Sequence, residues 1–137
     1  MVDAGFGLHP QLAADCHQVC RVGGILVLLL DDARYPWLVL VPAHEGVAEW
    51  MDLPKDAQAD LHQLTMTCSA ILQELFDLDK INIGALGNLV PQLHVHVVAR
   101  YKNDPAWPGP VWGHSPATPY APDELKQRMS KLQAALQ

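Results

Sequence analysis

The chain has 137 residues, half of them hydrophobic and 18% charged, the length and balance of a single domain spanning residues 1–137 around one core. Nine basic residues face fifteen acidic ones for a net charge of -6, with no Lys/Arg cluster. That argues against a nucleic-acid polymer or an anionic membrane as partner, and a phosphorylated ligand would have to be small and held by local donors.

The opening residues carry Asp3 and no basic residue ahead of an apolar run, so no secretory leader is expected. The strongest apolar run, 25–30, is far too short to span a bilayer. Cys16, Cys20 and Cys68 have no zinc-type spacing and read as reduced thiols of a cytoplasmic protein. Cys16 and Cys20, four apart, would share a helical face; simple packing is the default reading and a redox pair the alternative.

Residues 9–17 read as a short helix with Pro10 in its first turn. Gly23-Gly24 breaks the chain before the strand 25–30, buried on both faces or nearly so, and the Asp31-Asp32 turn leads to a second strand at 37–41. The short connection predicts an antiparallel pair. From Pro54 to Phe76 the period becomes helical, with Leu61, Leu64, Cys68, Ile71, Leu72 and Leu75 on one side and Asp52 as the expected cap. Strands follow at 81–83 and 93–99, separated by a Gly87-Asn88 turn. Six prolines and two glycines between Asn103 and Pro122 predict an irregular arm at 103–121, which Trp107 and Trp112 would pack onto the domain. A final helix, 122–136, carries the stripe Leu125, Met129, Leu132 and Leu136. The order is α+β with mainly antiparallel pairing.

The chemistry lies in Gly87-Asn88-Leu89-Val90-Pro91-Gln92-Leu93-His94-Val95-His96-Val97-Val98-Ala99-Arg100. Alternation along a strand turns Leu93, Val95 and Val97 to the core and Gln92, His94 and His96 to the other face, with the two His Cα atoms roughly 6.5 to 7 Å apart. A neutral imidazole whose other nitrogen is held by an acceptor is a competent nucleophile, and a neighbouring ring can stabilise phosphoryl oxygens, with the amides of Asn88 and Gln92 as uncharged donors. No metal or other cofactor is required. Two other readings of the bare pattern remain: a metal pair awaiting a third ligand, and two histidines on a solvated strand face.

The same segment resembles the signature of the histidine triad superfamily, in which three histidines alternate with apolar residues after a glycine-polar step. The resemblance continues through strand 37–42 with His44 after it, the helix from Pro54, Ile81-Asn82-Ile83, Arg100, and Trp107-Pro108-Gly109, which is similar to the aromatic tail of one branch. It implies an α+β fold with a five-stranded, mainly antiparallel sheet and two main helices, commonly doubled into a homodimer. It also implies hydrolysis or transfer through a covalent nucleotidyl-histidine. His94 would take the place of the nucleophile, His96 that of the last histidine against the phosphate, and Asn88 that of a residue touching the phosphate or leaving group. Asp31, with Leu30 before it, would match the nucleotide's ribose site. Three departures stand out: Gln92 replaces the first histidine, Trp37 stands where many members carry a further histidine, and the turn before Asn88 is short. The expected substrate is a nucleoside phosphoramidate, a dinucleoside polyphosphate or a related conjugate attacked at the α-phosphorus. A non-catalytic nucleotide-binding module and a metal-binding sheet protein are the alternatives.

Overall fold

The computed structural model describes residues 6–137 and shows nine elements among them; Asp3 and the reading of a leader lie outside the described residues. Helix α1 (Pro10–Asp15) runs directly into β1 (Cys16–Val22), followed by β2 (Ile25–Leu30) and β3 (Trp37–Pro42). A single 3-10 turn (Trp50–Asp52) precedes α2 (Lys55–Phe76), and then come β4 (Lys80–Gly84), β5 (Val95–Arg100) and α3 (Pro122–Leu136). The strands form one five-stranded sheet in the order β1-β2-β3-β5-β4, every neighbouring pair antiparallel.

Every residue of β3 and β5 is buried, because both faces of the sheet are covered. On one face Val27, Leu29, Leu38, Leu40, Val95 and Val97 pack with Leu61, Leu64, Cys68 and Leu72 of α2 and Leu132 of α3. The other face carries Leu26, Leu28, Trp37, Val39, Val41 and Val98, covered by Leu12 of α1 and by Ala106 and Val111 of the arm. Two-sided burial explains why these strands read as continuous apolar runs rather than as alternating ones.

Four local expectations are corrected. The helix expected at 9–17 stops at Asp15, and the chain continues as β1, a strand that propensity does not announce because His17, Gln18 and Arg21 interrupt it. Cys16 and Cys20 therefore share no helical face. A bulge between Gln18 and Cys20 shifts the alternation by one residue, so Cys16 packs in the arm-side cluster and Cys20 in the helix-side cluster. Asp52 does not cap α2; the cap position is Pro54, without a side-chain bond, and Gln58 reaches back to the carbonyls of Met51 and Leu53 at 3.0 and 2.9 Å. Finally, β5 begins at Val95 rather than at residue 93, because the Leu93 N–H bonds to the Val47 carbonyl in the loop after β3 instead of joining the ladder.

Candidate active site

The alternation expected along 92–97 holds across that delayed start: Leu93, Val95 and Val97 enter the helix-side core. His94 and His96 stand on the arm side, 6% and 9% exposed, with ring centroids 4.9 Å apart at an interplanar angle of 68°. His94 Nδ1 lies 2.8 Å from the Gln92 carbonyl. A carbonyl oxygen only accepts, so Nδ1 carries a hydrogen, and in the neutral ring the lone pair is on Nε2. The orientation of the His94 ring is thus set by the backbone two residues before it.

His96 is engaged from β3. Its Nδ1 accepts a hydrogen bond from Trp37 Nε1–H at 2.9 Å, both residues being buried. Burial, and then the neighbouring His94, push the His96 pKa down to about 4. Trp112 of the arm closes the other side edge-on, its ring 5.7 Å from His96 and 6.2 Å from Trp37. Gly84 at the end of β4 permits that approach: a Cβ there would lie 3.1 Å from the Trp112 ring.

Both rings open into a cleft of about 1030 Å³. Asn88 lines it from the loop between β4 and β5, where Gly87 takes a left-handed φ of 68° in the turn the sequence predicted. Leu30 and Asp31 line it from the end of β2, together with His9, Leu12 and Asp15 around α1. Asp31 Oδ1 accepts from the Tyr120 N–H at 3.1 Å and lies 3.1 Å from His17 Nε2.

Gln92, expected in line with the two rings, is otherwise engaged and does not line the cleft. Its side-chain oxygen accepts from the His9 N–H at 2.8 Å, and its amide donates to the Gly7 carbonyl at 2.9 Å. The side chain is on the expected face, but the segment before α1 lies over it, an arrangement set by residues more than eighty positions away in the chain.

Sequence reasoning also missed the fastenings of the arm. Arg34 binds both oxygens of Asp32 at 2.9 Å and Ser115 Oγ at 2.6 Å at the cleft wall. Arg100 is buried with Asp104 (2.8 and 3.0 Å), donates to Asn82 Oδ1 and the Gly109 carbonyl, and stacks against Tyr35 and Trp107. Burial pushes the Asp104 carboxyl up, but hydrogen bonds from Arg100 and from the Tyr101 and Trp107 N–H groups bring it net below the usual carboxylate range. Only the position of Arg100, two residues beyond Val98 on the same strand face, hinted at this. His44 sits apart, in a second groove with Val22 and Leu64. Among the described residues no three His, Cys, Asp or Glu side chains group as metal ligands.

The family model described as the HIT domain matches residues 11–103. Against curated proteins the sequence has no match. Among solved structures, a histidine triad protein from Marinobacter aquaeolei is 45% identical, with 96% of each chain covered and a TM-score of 0.94. One from Bradyrhizobium japonicum is 40% identical over 96% of this chain and 98% of its own, also with a TM-score of 0.94. A hypothetical histidine triad nucleotide-binding protein from Sulfolobus tokodaii, 12% identical over 88% of this chain and 83% of its own, shares the fold at a TM-score of 0.67. The chain belongs to the histidine triad family.

Proposed function

We propose that this protein is a nucleotide hydrolase or transferase in which His94 attacks the α-phosphorus of a nucleotide conjugate and forms a covalent nucleotidyl-histidine. The observation that carries this reading is the His94 Nδ1 to Gln92 carbonyl contact at 2.8 Å, which leaves Nε2 as a lone pair at the cleft. His96 donates to the phosphoryl oxygens and Asn88 adds an uncharged donor, while Leu30 and Asp31 face the nucleoside. A cleft of about 1030 Å³ is at the upper end of small-molecule sites, with room for a nucleotide and its leaving group. The protein works without a metal or other cofactor, on small nucleotides rather than on nucleic acid or a membrane, as a cytoplasmic homodimer.

The test is rapid quenching after mixing with adenosine phosphoramidate, an aminoacyl adenylate or a diadenosine polyphosphate carrying a label in the nucleotide. Label covalently bound at His94 in wild type and missing in His94→Ala supports the reading. Saturable nucleotide binding with no trapped adduct and no turnover on any of the three would make the protein a binding module instead.

A further inference from the structure

Two rings side by side in one cleft are held in opposite tautomers by partners that cannot exchange roles. The Gln92 carbonyl can only accept, so the neutral His94 ring carries its hydrogen on Nδ1 and presents a bare Nε2. The Trp37 indole can only donate, so His96 Nδ1 must be bare and its single hydrogen sits on Nε2. Trp37 and His96 reach one another diagonally across β3 and β5, since Trp37 pairs with Val98 and His96 with Val39. Protonating His96 would set two hydrogens face to face across the 2.9 Å contact. Among the described residues, the groups around His96 are His94 on its own strand, Trp37 and Val39 of β3, Gly84 of β4 and Trp112 of the arm; of these only His94 has an ionisable side chain.

A neutral His96 can donate a hydrogen bond from Nε2, but giving up that proton would leave an imidazolate. It is therefore a poor acid for a departing group. Among the described residues the rest of the cleft offers no substitute. His9 Nδ1 accepts from the Gln11 N–H at 3.0 Å, which fixes the same neutral tautomer there. The carboxylates of Asp15, Asp31 and Asp32 each accept hydrogen bonds, from Gln11, the Tyr120 N–H and Arg34 respectively.

We propose that Trp37 is a positioning residue that holds His96 as a neutral Nε2–H donor, and that the site in consequence selects nucleotides whose leaving group departs as an oxyanion over those whose leaving nitrogen must first be protonated. This rests on the transfer through His94 proposed above. In the first step the His94 Nε2 lone pair forms the N–P bond while the bond from phosphorus to the leaving oxygen breaks, its electron pair going with that oxygen. The His94 ring becomes cationic, with Nδ1–H still on the Gln92 carbonyl. Water then forms the new P–O bond, the N–P electron pair returns to Nε2, and one proton is released to solvent. Phosphoanhydrides and acyl phosphates fit this balance; phosphoramidates need a proton that neither ring supplies.

Nitrogen NMR on the labelled protein reads the lock without any turnover. Between about pH 8 and 5 the His96 ring should show a protonated Nε2 and a bare Nδ1, and Trp37→Phe should turn it into a tautomer mixture that titrates at higher pH. A protonated Nδ1 in wild type overturns the lock, and this needs no variant to fold. The second arm uses adenosine 5′-aryl phosphate esters of graded phenol acidity together with adenosine phosphoramidate. Wild type should favour the most acidic phenol over the least by at least about 100-fold, the scale of a missing general acid, and turn over the phosphoramidate more slowly than the most acidic ester. Trp37→Phe should flatten the series below about pH 6. A flat series in wild type, or phosphoramidate as the better substrate, overturns the leaving-group selection. No turnover of any ester would overturn the transfer reading and the selection with it, while the NMR result still decides the lock.

Discussion

At the scale of single residues the site divides between side chains that face the cleft and side chains that hold them. His94→Ala should lower turnover by about 10⁴-fold or more while nucleotide affinity stays within about tenfold, since binding is shared among other donors; single-turnover rates beside equilibrium binding check both halves. Gln92→Ala should act differently. It removes the bonds to Gly7 and His9, each worth about 1 kcal/mol, and frees the segment that carries α1 at the cleft wall. KM should rise about tenfold with kcat nearly unchanged, with faster amide exchange in α1; a collapse of kcat at constant KM would place the Gln92 amide on the reacting group. His96 also ties stability to pH. Its folded pKa of about 4 lies below the ordinary value near 6.5, so between these pH values the unfolded chain binds more protons and stability rises with pH. The contribution is complete above about pH 6.5 and is lost as pH falls toward 4, at most of order 3 kcal/mol. Urea unfolding from pH 7 to 4 should show that slope in wild type and a shallower one in His96→Gln.

Among the elements, the arm is irregular chain that polar side chains fasten to the domain. Prolines and glycines announce irregular chain, yet Asp104 and Arg100 bind it to β5, and Arg34 and Ser115 bind it to the connection between β2 and β3. Asp104→Ala would leave the Arg100 guanidinium buried without its carboxylate, which costs about 3 to 5 kcal/mol. Thermal unfolding should show a correspondingly lower Tm, and tryptophan fluorescence should report a more exposed Trp112; an unchanged Tm would mean that Gly109 and Asn82 suffice to hold Arg100. Strand β1 shows the opposite case, an element with weak local signals that tertiary contacts sustain. Its bulge takes Val19 out of register with β2, and the Gln133 side chain of α3 donates to the Val19 carbonyl at 3.0 Å.

For the molecule as a whole, the sheet ends on β4, and around that edge Ile83, Leu86 and Leu89 are 43%, 42% and 95% exposed. An unpaired edge flanked by apolar side chains favours association, so light scattering at micromolar concentration should give about twice the 15.1 kDa chain mass. A mass of one chain would remove the homodimer from the proposal. Activity should also survive exhaustive chelation, and activity lost to chelator and restored by zinc would reinstate a metal role for His94 and His96.

Periodicity and punctuation alone located β2, β3, α2 and α3, because local burial patterns and turn residues are properties of contiguous chain. His94-x-His96 could be read in the same way, since strand alternation needs no knowledge of partners, and the side that each residue faces followed directly. The His94 ring rests on the carbonyl two residues before it, but which hydrogen His96 carries did not follow, because its partner lies 59 residues away on β3. The same holds for Gln92, whose partners Gly7 and His9 belong to the other end of the chain, and for the arm, whose irregular sequence gives no period to read. Local sequence therefore determined where the histidines stand and which face they share, and only the long-range packing decided the His96 tautomer, the cover over both rings and which neighbouring amide lines the cleft.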